Sequence, residues 1–132
     1  MEAALRELVR RRASHRCEYC FLPQASALFL TFHIDHITAR QHGGDDDATN
    51  LALACPDCNA HKGPNLTSID PETGHLVALF NPRQDMWSEH FSLEGPTITG
   101  RTPVGRATVR LLYMNEEVRV EMRWRLLQAG AI

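Results

Sequence analysis

The stretch Cys55-Pro56-Asp57-Cys58-Asn59-Ala60-His61-Lys62-Gly63 decides the fold. Its two cysteines stand two residues apart, the spacing at which thiolates in one tight turn reach a single ion. Pro56 suits the first turn of a helix and Gly63-Pro64 stops it, so the spacing predicts a helix of about two turns beginning at Pro56. Upstream, Cys17-Glu18-Tyr19-Cys20 repeats the same spacing, and residues 21–54 lie between the two pairs. No cysteine is left over. Four thiolates complete a tetrahedral zinc shell with no open position, so such a zinc would hold the fold and do no chemistry itself. Two disulfides, or buried free thiols, are the competing reading. Disulfides are disfavoured in a chain without a secretory leader, and a dithiol redox role needs only one pair.

Outward from the cysteines, Glu2–Arg12 reads as a helix with Leu5, Leu8 and Val9 on one face. Leu28–Ile37 is apolar, aromatic and β-branched and reads as a strand. Gln41–Thr49, with Gly43, Gly44 and three aspartates, reads as a loop. Asp70–Gly74 is a turn between two strand-like runs, the second being His75–Phe80. Gln84–Phe91 is a candidate short helix. Thr102-Pro103 reads as an N-cap with proline at the first helical position. Beyond it, Leu111, Met114, Val118, Met122 and Leu126 make a helical stripe, while Val118, Val120, Met122 and Trp124 alternate as a strand would. The longer stripe, and Asn115-Glu116-Glu117 as a cap with an acidic first turn, favour helix.

The 132 residues suffice for one domain or a small motif with an extension. No apolar run can span a bilayer and the N-terminus has no apolar signal core, which points to a cytoplasmic protein with no membrane partner. The net charge of −2 is no nucleic-acid footprint by itself. Its distribution says more. Residues 1–16 hold five arginines against two acids, whereas residues 17–65 hold six acids against Arg40 and Lys62. Lys62 is the sole lysine among 14 basic residues, and it lies inside the second cysteine motif. An acidic centre suits a divalent cation, and equally suits a solvated loop.

Between the pairs lie His33-Ile34-Asp35-His36-Ile37, then Gly43-Gly44, then Asn50-Leu51, and the second pair continues into Asn59 and Lys62-Gly63. In this ordered set, residues 17 to about 63 resemble the zinc-bearing branch of the HNH endonuclease family, in its bacterial form. Phe80-Asn81-Pro82-Arg83, Trp87, His90-Phe91 and Gly105-Arg106-Ala107-Thr108 also look like the C-terminal extension of bacterial relatives, with no chemistry attached. The resemblance implies an α+β fold: a ββα-metal, treble-clef-like core with a structural four-cysteine zinc over residues 1–65, and a mixed C-terminal extension, residues 66–132, packed on it.

The same resemblance implies roles. Asp35 and Asn59 would ligate the catalytic divalent ion, His36 would be the general base, and Asn50 would brace the loop that positions His36. Lys62 would contact the phosphate or steady the site. His33 stands where relatives often carry an acid. It could join the catalytic metal and favour Mn²⁺ or Ni²⁺ over Mg²⁺. His61 fits the ligand position less well than Asn59, and Asp45–Asp47 read as a solvated loop. The chemistry is coherent, since imidazole can accept a proton near neutral pH and a hard cation prefers carboxylate and amide oxygens. Because adjacent strand residues point to opposite faces, Asp35 and His36 require the strand to end or bulge there. Arg10, Arg11, Arg12 and Arg16 could meet phosphates or form a solvated face.

Three functions compete. The first is an endonuclease acting on DNA, with RNA also open. The second is a non-catalytic zinc-stabilised module that binds nucleic acid. The third is a zinc-stabilised interaction domain. Only the first needs Asp35, His36, Asn50 and Asn59. Oligomeric state, target and cutting mode are not encoded in any visible motif.

Overall fold

A computed structural model describes residues 1–132. The chain forms two compact units, one from residues 1–66 with 81–84, the other from residues 67–80 with 85–132.

The first unit opens with helix α1, Ala3–Arg12, whose last turn holds Arg10, Arg11 and Arg12 where the helix dipole favours cations. Strand β1, His33–His36, pairs antiparallel with β2, Leu51–Ala54, in the register His33↔Ala54 to His36↔Leu51. Helix α2, Pro56–Lys62, follows at once and packs on both strands, completing a ββα unit. α1 packs on β2. All four residues of β2 are buried, because α1 and α2 both lie against it. Val9, Tyr19, Phe32, Leu51 and Leu53 make the apolar centre of this unit.

The expected strand over Leu28–Ile37 is much shorter in the structure. Its partner sets the limit. β2 ends where Cys55 becomes the N-cap of α2, so residues before His33 have no strand to pair with. Leu28, Phe29 and Leu30 are exposed instead, in a loop tied by one side chain. Gln24 donates through Nε2 to Ala27 O (3.3 Å) and Leu30 O (2.8 Å) and accepts from Phe32 N through Oε1 (3.3 Å).

The second unit contains two hairpins and three helices. β3, Thr67–Ile69, pairs with β4, Leu76–Ala78, across the expected Asp70–Gly74 turn. The expected helix over Gln84–Phe91 is a single turn, α3, Trp87–His90. The chain then enters a hairpin of β5, Phe91–Glu94, and β6, Thr97–Gly100, turning at Gly95 with φ 57°. α4, Pro103–Leu111, begins as read from sequence, with Thr102 Oγ1 accepting from Gly105 N at 3.0 Å. The core includes Phe80 set edge-on to Phe91 at 5.1 Å, with Ile98, Ala107, Leu112 and Met114.

The final segment is helical, as expected, but its faces are reversed. α5 runs Glu117–Gln128 after a left-handed Tyr113 (φ 49°) that breaks the stripe. Val118 is 70% exposed, whereas Arg119 and Arg123 are buried. The reason lies in the carbonyls left at the end of α4. Arg119 donates to Leu112 O and Tyr113 O, and Arg123 to Met114 O and Pro96 O. Unpaired buried carbonyls are costly, and guanidinium forks satisfy several at once. Asn115 is not the cap. Its side-chain amide pairs with both backbone groups of Ile98, at 2.7 and 2.9 Å, as a neighbouring strand would.

Candidate metal centre and active site

The two cysteine pairs come together. Cys17 and Cys20 sit in the turn before Phe21, a non-glycine residue at φ 64°, and Cys55 and Cys58 sit at the N-terminus of α2. All four are buried, and their Sγ atoms lie within 4.8 Å of one another. Cys20 and Cys55 are 3.7 Å apart. A disulfide needs about 2.05 Å, while thiolates on a tetrahedral zinc at about 2.3 Å stand ~3.8 Å from each other. The arrangement therefore fits a cation. Backbone N–H groups already support the sulfurs, Cys20 N on Cys17 Sγ (3.5 Å) and Cys58 N on Cys55 Sγ (3.4 Å). Burial pushes the Cys17 and Cys58 thiols well up, so a central cation is what would stabilise thiolates there.

The first cysteine turn reaches the carboxylate of β1 through Tyr19. Asp35 is only 6% exposed. Tyr19, inside the first cysteine pair, donates its phenol O–H to Asp35 Oδ2 at 2.8 Å. Lys62, at the last turn of α2 and 2% exposed, places Nζ 3.2 Å from Oδ2 and 3.4 Å from Oδ1. The same ammonium donates to His36 O (3.2 Å) and Ile37 O (3.3 Å). Burial raises the Asp35 carboxyl, and Lys62 and then Tyr19 pull it back down. Lys62 thus steadies the strand from inside. Its ammonium is turned into the protein. Burial also pushes the Tyr19 phenol well up, and the Asp35 charge adds to this.

His36 follows on β1 with its ring partly open to solvent. Its Nε2 meets Asp46 Oδ1 at 2.7 Å, and Arg40 holds both oxygens of Asp46, at 2.7 and 3.0 Å. β1 ends at His36, and Ile37 N then donates to Asn50 O at 2.9 Å. Asn50 closes the loop from residue 37 to 50. Its Oδ1 accepts from Thr38 N (2.8 Å), and its Nδ2 donates to Thr38 O (3.0 Å) and Asp45 O (2.9 Å). Gly44 is required by this closure, because a Cβ there would lie 1.7 Å from Thr38 O.

Asn59 is half-buried on α2, and its side-chain amide makes no hydrogen bond within the protein. His33 is exposed at the start of β1. Among the N-terminal arginines, Arg12 is committed to Ala48 O (3.0 Å) and Leu51 O (2.7 Å), and Arg11 to Glu7 (3.2 Å). The side chains of Arg10 and Arg16 carry no such bonds.

Residues 17–65 match the HNH endonuclease family. No curated protein and no solved structure matches the chain. The HNH segment runs from the first thiol of the cluster to just past α2. It is the α+β, ββα-metal core with its four-cysteine metal cluster. The family points to a nuclease or nucleic-acid-binding function. No helix is long and apolar enough to cross a membrane.

Three partners within the HNH segment's unit are not legible in the sequence. Tyr19 stands in plain view between two cysteines, but nothing in the spacing marks which middle residue turns inward. Asp46 reads as one of three solvated loop acids, yet it holds the His36 ring. Glu18 accepts from Leu53 N (2.7 Å) and from Arg83, which fastens the Asn81–Gln84 segment to the cysteine turn. Only a contact across 65 residues of sequence reveals that link.

Proposed function

We propose that the HNH segment is a metal-dependent endonuclease that hydrolyses phosphodiester bonds of DNA. In this reading His36 is the general base, and Asp35 and Asn59 hold a divalent ion such as Mg²⁺, Mn²⁺ or Ni²⁺. The four thiols hold a structural zinc. Asn50 braces the loop beside the base, and Lys62 neutralises and orients Asp35. His33, exposed two residues before Asp35, is available as a further ligand.

One observation carries the reading above a pure binding module. A carboxylate is buried beside a lysine on the same four-residue strand that leaves an imidazole partly open. Burying such an ion pair is costly and gives little net stability. A module that only grips nucleic acid could fill the same space with apolar side chains. A carboxylate and an amide are also donor types that a hard cation prefers. Asp35 Oδ1 takes only the long contact to Lys62, so it keeps a lone pair, and the Asn59 amide is uncommitted. The ion, when bound, would stabilise negative charge on the phosphate and leaving oxygen. His36 would take the proton of the attacking water. Four reduced thiols suit the reducing interior of a cell.

The test is plasmid nicking by purified, zinc-loaded protein with Mg²⁺, Mn²⁺ or Ni²⁺ added, wild type against His36→Ala at matched zinc content, with RNA as a parallel substrate. Nicking by wild type alone supports the proposal. Binding of DNA without cleavage under every ion overturns it in favour of the binding module.

A further inference from the structure

We propose that Asp46 is a positioning residue that fixes which ring nitrogen of His36 is left open to accept a proton. Its role in catalysis rests on the nuclease reading above. The ring orientation itself does not.

An ionised carboxylate can only accept hydrogen bonds. Asp46 Oδ1 stands 2.7 Å from His36 Nε2, so that nitrogen must carry the hydrogen. A neutral imidazole has one N–H and one lone pair, and the lone pair then falls on Nδ1. Arg40 Nη2 contacts both Asp46 oxygens and opposes protonation of the acid. The bond from His36, and then those from Arg40, hold the Asp46 carboxyl below its ordinary range.

A carboxylate on a wandering loop could not impose this. The loop here is tied at several points. Asn50 ties Thr38 through both its backbone groups and also grips Asp45 O, the carbonyl immediately before Asp46. On the other side, Asp47 caps the turn Ala48–Asn50 by accepting from Thr49 N at 2.9 Å. Gly44 presses against Thr38 O where no side chain fits. His36 is therefore fixed at two points, its carbonyl by Lys62 and its ring by Asp46. The bland alternative for Asp46 is a surface ion pair with Arg40, which would be worth little. That reading leaves the bond to His36 without a purpose.

The experiment is ¹⁵N NMR of the imidazole nitrogens in the full-length, zinc-loaded chain, without DNA or added divalent ion, at a pH where His36 is neutral. Wild type, Asp46→Ala and Asp46→Asn are compared, with Arg40→Ala as a control that keeps Asp46. Wild type is expected to show a protonated Nε2 and a bare Nδ1. Asp46→Ala should populate both tautomers, Asp46→Asn should shift toward Nδ1–H as the amide turns its N–H₂ to the ring, and Arg40→Ala should keep the wild-type pattern. In nicking assays both Asp46 variants should lose about 10- to 100-fold in kcat with KM for DNA unchanged. A wild-type pattern retained in Asp46→Ala, or a proton on Nδ1 in wild type, overturns the proposal. A wild-type protein that shows the expected tautomer yet cuts no nucleic acid supports the positioning and overturns the nuclease reading alone.

Discussion

Replacing Lys62 by Met tests the inner side of the site most directly. Methionine keeps much of the length and apolar stem, and removes the charge. The buried Asp35 is then left with one donor, the Tyr19 phenol at 2.8 Å, while His36 O and Ile37 O lose theirs. Breaking a buried ion pair by deleting one partner costs about 3–5 kcal/mol, because the remaining charge stays buried. The Lys62 contacts are 3.2–3.4 Å long, which places the expected cost near the lower end, ~3 kcal/mol. That lowers the midpoint of thermal unfolding by roughly 10 °C. The loss also depends on pH in a defined direction. Without Lys62 the Asp35 carboxyl rises further above its ordinary value, so the folded variant binds a proton that the unfolded chain releases. Stability then falls as pH rises through that window, and the deficit is smaller at pH 5 than at pH 7.5. The assay is thermal and urea unfolding followed by circular dichroism at both pH values, with zinc content checked. Asp35→Asn and the Lys62→Met/Asp35→Asn double variant complete a cycle, and a coupling of about 2 kcal/mol is expected. A single variant as stable as wild type at pH 7.5, or a coupling under about 0.5 kcal/mol, would refute the mutual dependence of this buried pair.

Stripping the thiol-bound metal with a chelator should unfold the ββα unit, and the unfolding midpoint of the intact protein should rise with added zinc, as read by circular dichroism. Gly44→Ala should cost more than about 2 kcal/mol, because its Cβ would collide with Thr38 O. Gly43→Ala meets no neighbour and suffers only the strain of φ 90°, about 1 kcal/mol, so urea midpoints should separate the two. In the second unit, Arg106 grips both oxygens of the buried Asp70, at 2.9 and 2.8 Å, and holds its carboxyl far below the usual range. The unfolded chain therefore protonates Asp70 first. The stability this pair supplies is present above about pH 4 and is lost as pH falls below it. The stability difference between wild type and Arg106→Gln should shrink over that acid range, while contributions from the thiols cancel.

The parts of the molecule visible in the sequence are those encoded by neighbours. Cysteine spacing, the Pro56 and Gly63 boundaries and the Thr102-Pro103 cap are local rules, and each corresponds to a feature of the structure. β1 is shorter than its composition suggests because strand length depends on the partner, and β2 stops at Cys55 for reasons that lie in α2. α5 is legible as a helix, yet its arginines turn inward because carbonyls at the end of α4 need donors, and hydropathy carries no record of that need. The β5–β6 hairpin has only Gly95-Pro96 as its turn signal, and the aromatic run before it reads as helix instead. At the candidate site the four-cysteine cluster is legible, but the hydrogen bonds from Tyr19 and to Asp46 are not. Both depend on which way a side chain faces once distant segments have met.

The order of the thiols along the chain has a bearing on synthesis. Asp35, His36 and Asn50 all lie between Cys20 and Cys55, inside the loop that the cysteine cluster closes. Asp35 and His36 leave the ribosome before the second pair of thiols does. Until Cys58 has emerged, the cluster lacks a ligand, and Lys62 is not yet present to neutralise Asp35. The nascent chain therefore emerges with β1 unassembled, and the full four-thiol shell can close around a metal only after Cys58 is out.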